Sequence, residues 1–236
     1  MTATPMLHLV RHAESVWNLE RRYQGHGDSD LTAAGIEHAE SLADRLVAAV
    51  GRAVRLVSSD LRRARATAAA VASRVGLDVT LDLRFREINV GTWSGRTFAD
   101  IAAEHPDVVA AVAAGQDVAR GDGETYAATR VRVEAAMDEF AREASEATIV
   151  FTHAGPIRVA TAAALGVPAP GHDRLGPPVH CSVSTFELID GRWRCSTTTA
   201  RLVGTTSERR RDQRARRRTP GDVHGDDLQR VGRPSR

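Results

Sequence analysis

Short apolar runs of strand length alternate with longer segments of helical period along most of the 236 residues, and that alternation restricts the chain to an α/β fold. The first run, Met6–Val10, stops abruptly at Arg11-His12. Thr32 then opens a helix whose apolar positions Ile36, Ala39, Leu42, Ala43, Leu46 and Val47 keep helical spacing. Arg55–Ser59 reads as a second strand, Asp60 as the cap of a helix running to about Val75, and Asp78–Leu81 as a third strand. Beyond an irregular stretch at 85–96, Ala-rich helices are expected over 97–115 and 124–145, divided by the Gly-Asp-Gly turn at 121–123. Thr148–Thr152 is a β-branched and aromatic run ending at His153, and Gly155-Pro156 starts another helix, because Pro is tolerated in a first turn. Ser182–Ile189 and a short strand near Arg192–Thr199 complete the pattern. It predicts a three-layer α/β/α sandwich with a mostly parallel central sheet and a small helical cap (about 97–145), all within one catalytic domain over 1–204.

The pI near 8.9 would suggest nucleic acid, but the charge is unevenly placed. Residues 205–236 hold ten Arg against five acids, whereas the first 204 hold 22 Arg against 25 acids and are mildly acidic. The tail has almost no apolar residues, so it is expected to be disordered, and no nucleic acid is expected as partner. Every basic residue is Arg and none is Lys, a pattern of codon bias that carries no functional weight here. Cys181 and Cys195 stand in no metal-ligand spacing and read as reduced thiols, and no His/Cys/carboxylate cluster calls for a metal or other cofactor. No run nears the roughly 18 apolar residues a membrane span needs, and Met1–Leu9 is too short for a signal peptide. A soluble, cytoplasmic protein without membrane contact is expected, and a homodimer is left open.

A His directly follows the end of an apolar strand twice, at His12 and at His153. In open α/β sheets ligands bind beyond the carboxyl ends of strands, so one pocket can hold both. The segment Leu9-Val10-Arg11-His12-Ala13-Glu14-Ser15-Val16-Trp17-Asn18 closely resembles the signature that opens the histidine phosphatase superfamily, which includes cofactor-dependent phosphoglycerate mutase. Four further blocks follow in that family's order: Arg22-Tyr23-Gln24-Gly25 with Asp30–Gly35, Ser58–Ala64, Arg86-Glu87 before Gly91–Gly95, and Phe151–Gly155.

Elementary chemistry gives these residues roles consistent with the resemblance. A dianionic phosphate monoester needs its charge neutralised, an in-line nucleophile and an acid for the departing alkoxide. Arg11 and Arg63 offer planar donor forks, His153 an N–H and Asn18 a neutral donor, while His12 must be neutral to attack phosphorus. The resemblance implies that His12 becomes the phosphoenzyme, that Arg11, Arg63 and His153 hold the phosphoryl group, and that Glu87 acts as general acid and then base. It further implies phosphate or substrate contacts from Asn18, Arg22, Gln24, Gly25, Trp93 and Ala154, Trp93 also reading as core or pocket wall. Arg62 is expected to point away, and His8, His26, His38, His105, His172, His180 and His224 are read as structural or surface residues.

The chain departs from the family in carrying Ala13 and Ala154 where Gly is usual, each adding a methyl near the phosphate. Only 65 residues separate Glu87 from His153, too few for the insertion that closes a mutase site, so hydrolysis is favoured over transfer. Arg120 within the cap segment 97–122 and Arg96 just before it are its only arginines, which points to a small phosphate monoester bearing an apolar or sugar moiety. Mutase-like transfer, or a recruited non-hydrolytic enzyme on the same fold, is the alternative.

Overall fold

A computed structural model describes residues 5–50, 54–143 and 147–197. Its single sheet has six strands in the order β3-β2-β4-β1-β5-β6. These are β1 (Met6–Arg11), β2 (Val54–Ser58), β3 (Val79–Leu81), β4 (Ala147–Thr152), β5 (Val183–Ile189) and β6 (Arg192–Thr197). The first four run parallel, and β5 pairs antiparallel with both β1 and β6. The sandwich is therefore the one the alternation predicts, with a mostly parallel sheet at its centre.

Period-two alternation along the strands assigns each side chain to one of two buried layers. Val10, Leu56, Ile149 and Phe151 face helices α2 (Ala33–Val50) and α3 (Arg62–Val75), meeting Leu42, Leu46, Ala68 and Val71. Leu7, Leu9, Val57, Val150 and Phe186 face the other way, toward Val133, Met137 and Phe140 of α6 (Tyr126–Glu143) and Ile157 and Val159 of α7 (Ala154–Ala164). Both faces of β1 and β4 are buried, which is why these strands read as continuous apolar runs rather than alternating ones.

Several local expectations are corrected. Asp60 does not cap α3: Leu61 holds that position without a side-chain bond, Asp28 accepts from the Arg62 N–H at 2.8 Å, and the Asp60 carboxylate takes the Arg86 guanidinium instead. The helix expected over 97–115 is two, α4 (Phe98–Glu104) and α5 (Pro106–Ala113), because Pro106 forces His105 out of helical geometry. Ile36 is 51% exposed despite its periodic position, whereas Thr32 does open α2, its Oγ1 accepting from the Gly35 N–H. The short helix α1 (Val16–Leu19) was not foreseen, and the stretch at 85–96 contains a 3-10 turn at Gly91–Trp93. Within the span expected as cap, α6 is a layer of the sandwich. It packs on the sheet because Val133, Ala136, Met137 and Phe140 form one apolar stripe, and only α4 and α5 stand outside the layers on which the sheet is packed. The tail expected to be disordered, the side chain of Val47 and the end of the last expected strand lie outside the described residues. Among the described residues no helix is long and apolar enough to cross a membrane.

The placement of α6 has a measurable consequence. Met137→Ala should cost about 2–5 kcal/mol by urea denaturation, the range for emptying a core position. Val131→Ala on the same helix, 69% exposed, should change stability by no more than about 0.5 kcal/mol.

Candidate active site

The register of two parallel strands builds the site. Arg11 of β1 lies opposite Thr152 of β4, so the next residues, His12 and His153, emerge side by side at the carboxyl edge of the sheet. The His12 N–H donates to the Thr152 carbonyl at 2.9 Å, and the two imidazole centroids are 5.1 Å apart. One strand further along, Ser58 lies opposite Phe151, which brings Ser59 to the same edge, its Oγ 2.9 Å from His153 Nε2.

The tautomer of His12 follows from its partner. Nδ1 lies 2.7 Å from the Ala13 carbonyl, which can only accept, so Nδ1 carries the proton and Nε2 keeps the lone pair of the neutral ring. Ala13 is itself held by its N–H bond to Thr67 Oγ1.

Positive charge surrounds this ring. Arg63, 1% exposed, enters from the first turn of α3 and spans the Gly25 and Gly27 carbonyls with Nη2 and Nη1 at 2.9 and 2.8 Å. Gly25 adopts φ +51°, and a Cβ there would come within 2.5 Å of the Val90 side chain, so only glycine keeps its carbonyl under Arg63. Arg11 bonds the Pro178 carbonyl at 2.6 Å. Nε of Arg11, Nε of Arg63 and Nδ1 of His153 are buried without a hydrogen-bond partner, and neither arginine forms an ion pair among the described residues. Three such atoms around one imidazole make an environment that a tetrahedral oxyanion fits.

Glu87 comes from the loop before the Gly91–Trp93 turn. Its Oε1 accepts from the Ile88 N–H at 2.9 Å and from the Gly155 N–H, in the first turn of α7, at 3.0 Å. A Cβ on Gly155 would approach that oxygen to 2.1 Å, so this glycine is what lets the carboxylate dock on the helix end. Arg132 of α6 fixes the loop from behind, donating to the carbonyls of Arg84, Arg86 and Glu87 while its charge is paired with Glu124.

The remaining expected residues divide. Asn18 and Gln24 meet at the Ser15 hydroxyl, each 2.9 Å from it, beside the Ala13–Glu14 turn. Ala154 is the first residue of α7, next to His153. Arg22 turns outward, to Glu20 and the Gly95 carbonyl, and is not brought to the cluster. Trp93 is 3% exposed between Tyr23 and His105, so it packs as core, as the second of its two expected readings has it. Arg62 is exposed and pairs with Asp30.

Three residues to which the sequence assigned no role in the site stand at it. Ser59 could have been flagged, since it ends a strand as the two histidines do. His180, its ring 5.8 Å from that of His12, could not: it precedes β5, and only the antiparallel pairing with β1 brings its loop to the carboxyl edge. Tyr126 lies with its ring edge against Gly155 and stacks on His172 at 3.7 Å.

The histidine phosphatase superfamily (branch 1) family model matches residues 7–201. The chain belongs to that superfamily. A protein from Enterobacter sp. named probable phosphoglycerate mutase GpmB is 32% identical over 204 residues, covering 85% of this chain and 93% of the relative. A mycobacterial glucosyl-3-phosphoglycerate phosphatase, solved with VO3, superposes with a TM-score of 0.75 at 29% identity over 82% of this chain and 98% of its own. A putative alpha-ribazole-5'-P phosphatase from Escherichia coli superposes at 0.74 with 26% identity, over 86% of this chain and all of its own. Membership supports phosphoryl transfer or hydrolysis as the chemistry.

The electrostatics of this site disfavour protonation of two of its imidazoles. Burial, then the charges of Arg63 and Arg11, push His12 well below the usual histidine value. Burial, then Arg63 and His12, do the same to His153. Burial also pushes Arg63 down to about 10, a value that leaves it charged at neutral pH. Among the described residues no group of three or more His, Cys, Asp or Glu is placed to hold a metal ion.

His180 is pushed down to about 4 by burial, with Arg11 and His38 adding to the shift. The unfolded chain therefore binds a proton from about pH 6.5 downward that the native state refuses until about pH 4, and stability falls as pH drops through that window. His12 and His153 act in the same direction. His180→Asn should flatten the decline of Tm between those pH values, and an unchanged slope in differential scanning calorimetry would refute the assignment.

Proposed function

We propose that the chain is a metal-independent phosphomonoesterase that hydrolyses a small phosphorylated metabolite through a phosphohistidine on His12. The observation that carries this reading is the His12 Nδ1 contact with the Ala13 carbonyl, which reserves Nε2 as a lone pair inside a ring of positive charge. Nε2 attacks phosphorus while Arg11, Arg63 and His153 take the charge developing on the phosphoryl oxygens. Glu87, in its protonated form, gives its proton to the departing alkoxide. The resulting carboxylate then takes a proton from the water that attacks the phosphohistidine, releasing inorganic phosphate and restoring His12. With Oε1 occupied by two backbone N–H groups, the second oxygen of Glu87 is the one left for this proton.

The relative named as a probable mutase favours a second reading, in which a second substrate hydroxyl rather than water accepts the phosphoryl group. The 65-residue interval between Glu87 and His153 leaves no long insertion to exclude water, which supports hydrolysis. The partner under this reading is a small phosphate ester.

A panel of phosphate monoesters assayed without added metal tests the reading. Turnover should persist in a chelator and release inorganic phosphate, and His12→Ala should abolish both turnover and acid-labile labelling from radiolabelled substrate. Glu87→Gln should lower kcat by about 10²–10⁴-fold. Because His12 must be neutral, the acidic limb of kcat/KM should lie well below pH 6.5. Chelator-sensitive turnover, or labelling that survives His12→Ala, would falsify it.

A further inference from the structure

Two groups stand out among the arginines of the described residues. Those with carboxylate partners stand at or near the surface, as in Arg22–Glu20, Arg55–Glu143, Arg84–Glu139 and Arg96–Glu104. Four others are buried or half-buried without an ion pair among the described residues: Arg11, Arg63, Arg120 and Arg158. Arg11 and Arg63 belong to the phosphate site. Arg120 and Arg158 do not, yet they are beside it.

Tyr126 links the two sets. Its ring edge packs against Gly155, the residue whose N–H holds Glu87 Oε1. His172 stacks on one face of that ring with the planes 12° apart, and the Arg120 guanidinium lies over it, 4.9 Å from the centroid. A stack at 3.7 Å leaves no room for a guanidinium on the same face, so Arg120 occupies the opposite one. Arg158, one turn along α7 from Ala154, donates to the Leu175 and His172 carbonyls and lies 5.7 Å from the Tyr126 centroid. The Arg120 guanidinium is thus about one aromatic ring away from the Glu87 end of the phosphate site.

Arg120 is 7% exposed, and its Nη1 is buried with no hydrogen-bond partner among the described residues. The face of Tyr126 compensates a guanidinium only in part, and burying an unpaired charge is costly. It is pinned there by the tight turn at 121–123, where a Cβ on Gly121 would strike the Val90 carbonyl and the Trp93 ring. Sequence alone made Arg96 and Arg120 equivalent, but Arg96 pairs with Glu104 at the surface, whereas Arg120 is held inward with no ion pair among the described residues.

We infer that Arg120 is a specificity-determining residue, receiving a second anionic group, carboxylate or phosphoryl, carried by the same phosphate monoester whose phosphoryl group is bound by Arg11 and Arg63. The inference rests on the phosphomonoesterase reading and names its substrate class. It replaces the expectation of a substrate with only an apolar or neutral sugar moiety. Arg158 adds long-range charge while remaining bound to its two carbonyls.

The test compares substrates that differ only in the second anion: 3-phosphoglycerate against glycerol 3-phosphate, and fructose 1,6-bisphosphate against fructose 6-phosphate. The wild-type chain should favour the anion-bearing member of at least one pair by about 10- to 100-fold in kcat/KM, mainly through KM, as expected for a charge-assisted bond. Arg120→Gln should collapse that ratio to within about threefold of unity, and Arg120→Lys should restore part of it. Which pair responds distinguishes carboxylate from phosphoryl. Wild-type turnover of both members of each pair without preference overturns the inference while leaving the phosphomonoesterase reading intact, and it needs no variant to fold. An equal loss on both members in Arg120→Gln, with the ratio preserved, also overturns it. Absence of turnover and of His12 labelling on every substrate brings down both readings.

Discussion

The parallel pairing of β1 with β4 is the constraint from which the site follows. It fixes Arg11 opposite Thr152 and so delivers two imidazoles to one sheet edge within 5.1 Å, although 140 residues separate them in sequence. A slip of one residue would turn Val10 and Phe151 out of their apolar layer, so the hydrophobic pattern that stabilises the sandwich also holds the histidines in register. Fold stability and site geometry rest on the same contacts.

Charge burial explains the rest of the arrangement. Arg63 is anchored by carbonyls rather than by a carboxylate, and those carbonyls orient the guanidinium without cancelling its charge. An acidic partner would have stabilised the arginine but competed with phosphate for it. Burial first, and then the same arginine charges, disfavour protonation of His12 and His153, so the field that attracts an anion also helps keep the nucleophile unprotonated. Glu87 sits within that field, acting on both Arg11 and Arg63, and is docked by two backbone N–H groups.

Legibility from sequence varied with the range of the interaction. Strand ends, the Thr32 start of α2 and the Gly-Pro start of α7 were readable because each depends on residues within a turn of one another. The cap of α3 was misread because Asp28, more than thirty residues upstream, provides it instead of Asp60. The cap segment was read as one body because Ala-rich composition does not reveal which stripe of α6 meets the sheet.

By itself the sequence determined the sandwich, through the alternation of strand and helix periods, and the resemblance of its ordered motif blocks implied the superfamily and the proposed nucleophile. Tertiary structure alone decided that Trp93 is core, that Arg22 faces outward, that His180 stands beside His12 and that Arg120 is buried against Tyr126. The physical reason is that a side chain's charge state and availability depend on what packs against it. Antiparallel strand pairing and the 121–123 turn bring those neighbours from distances along the chain that no local pattern encodes.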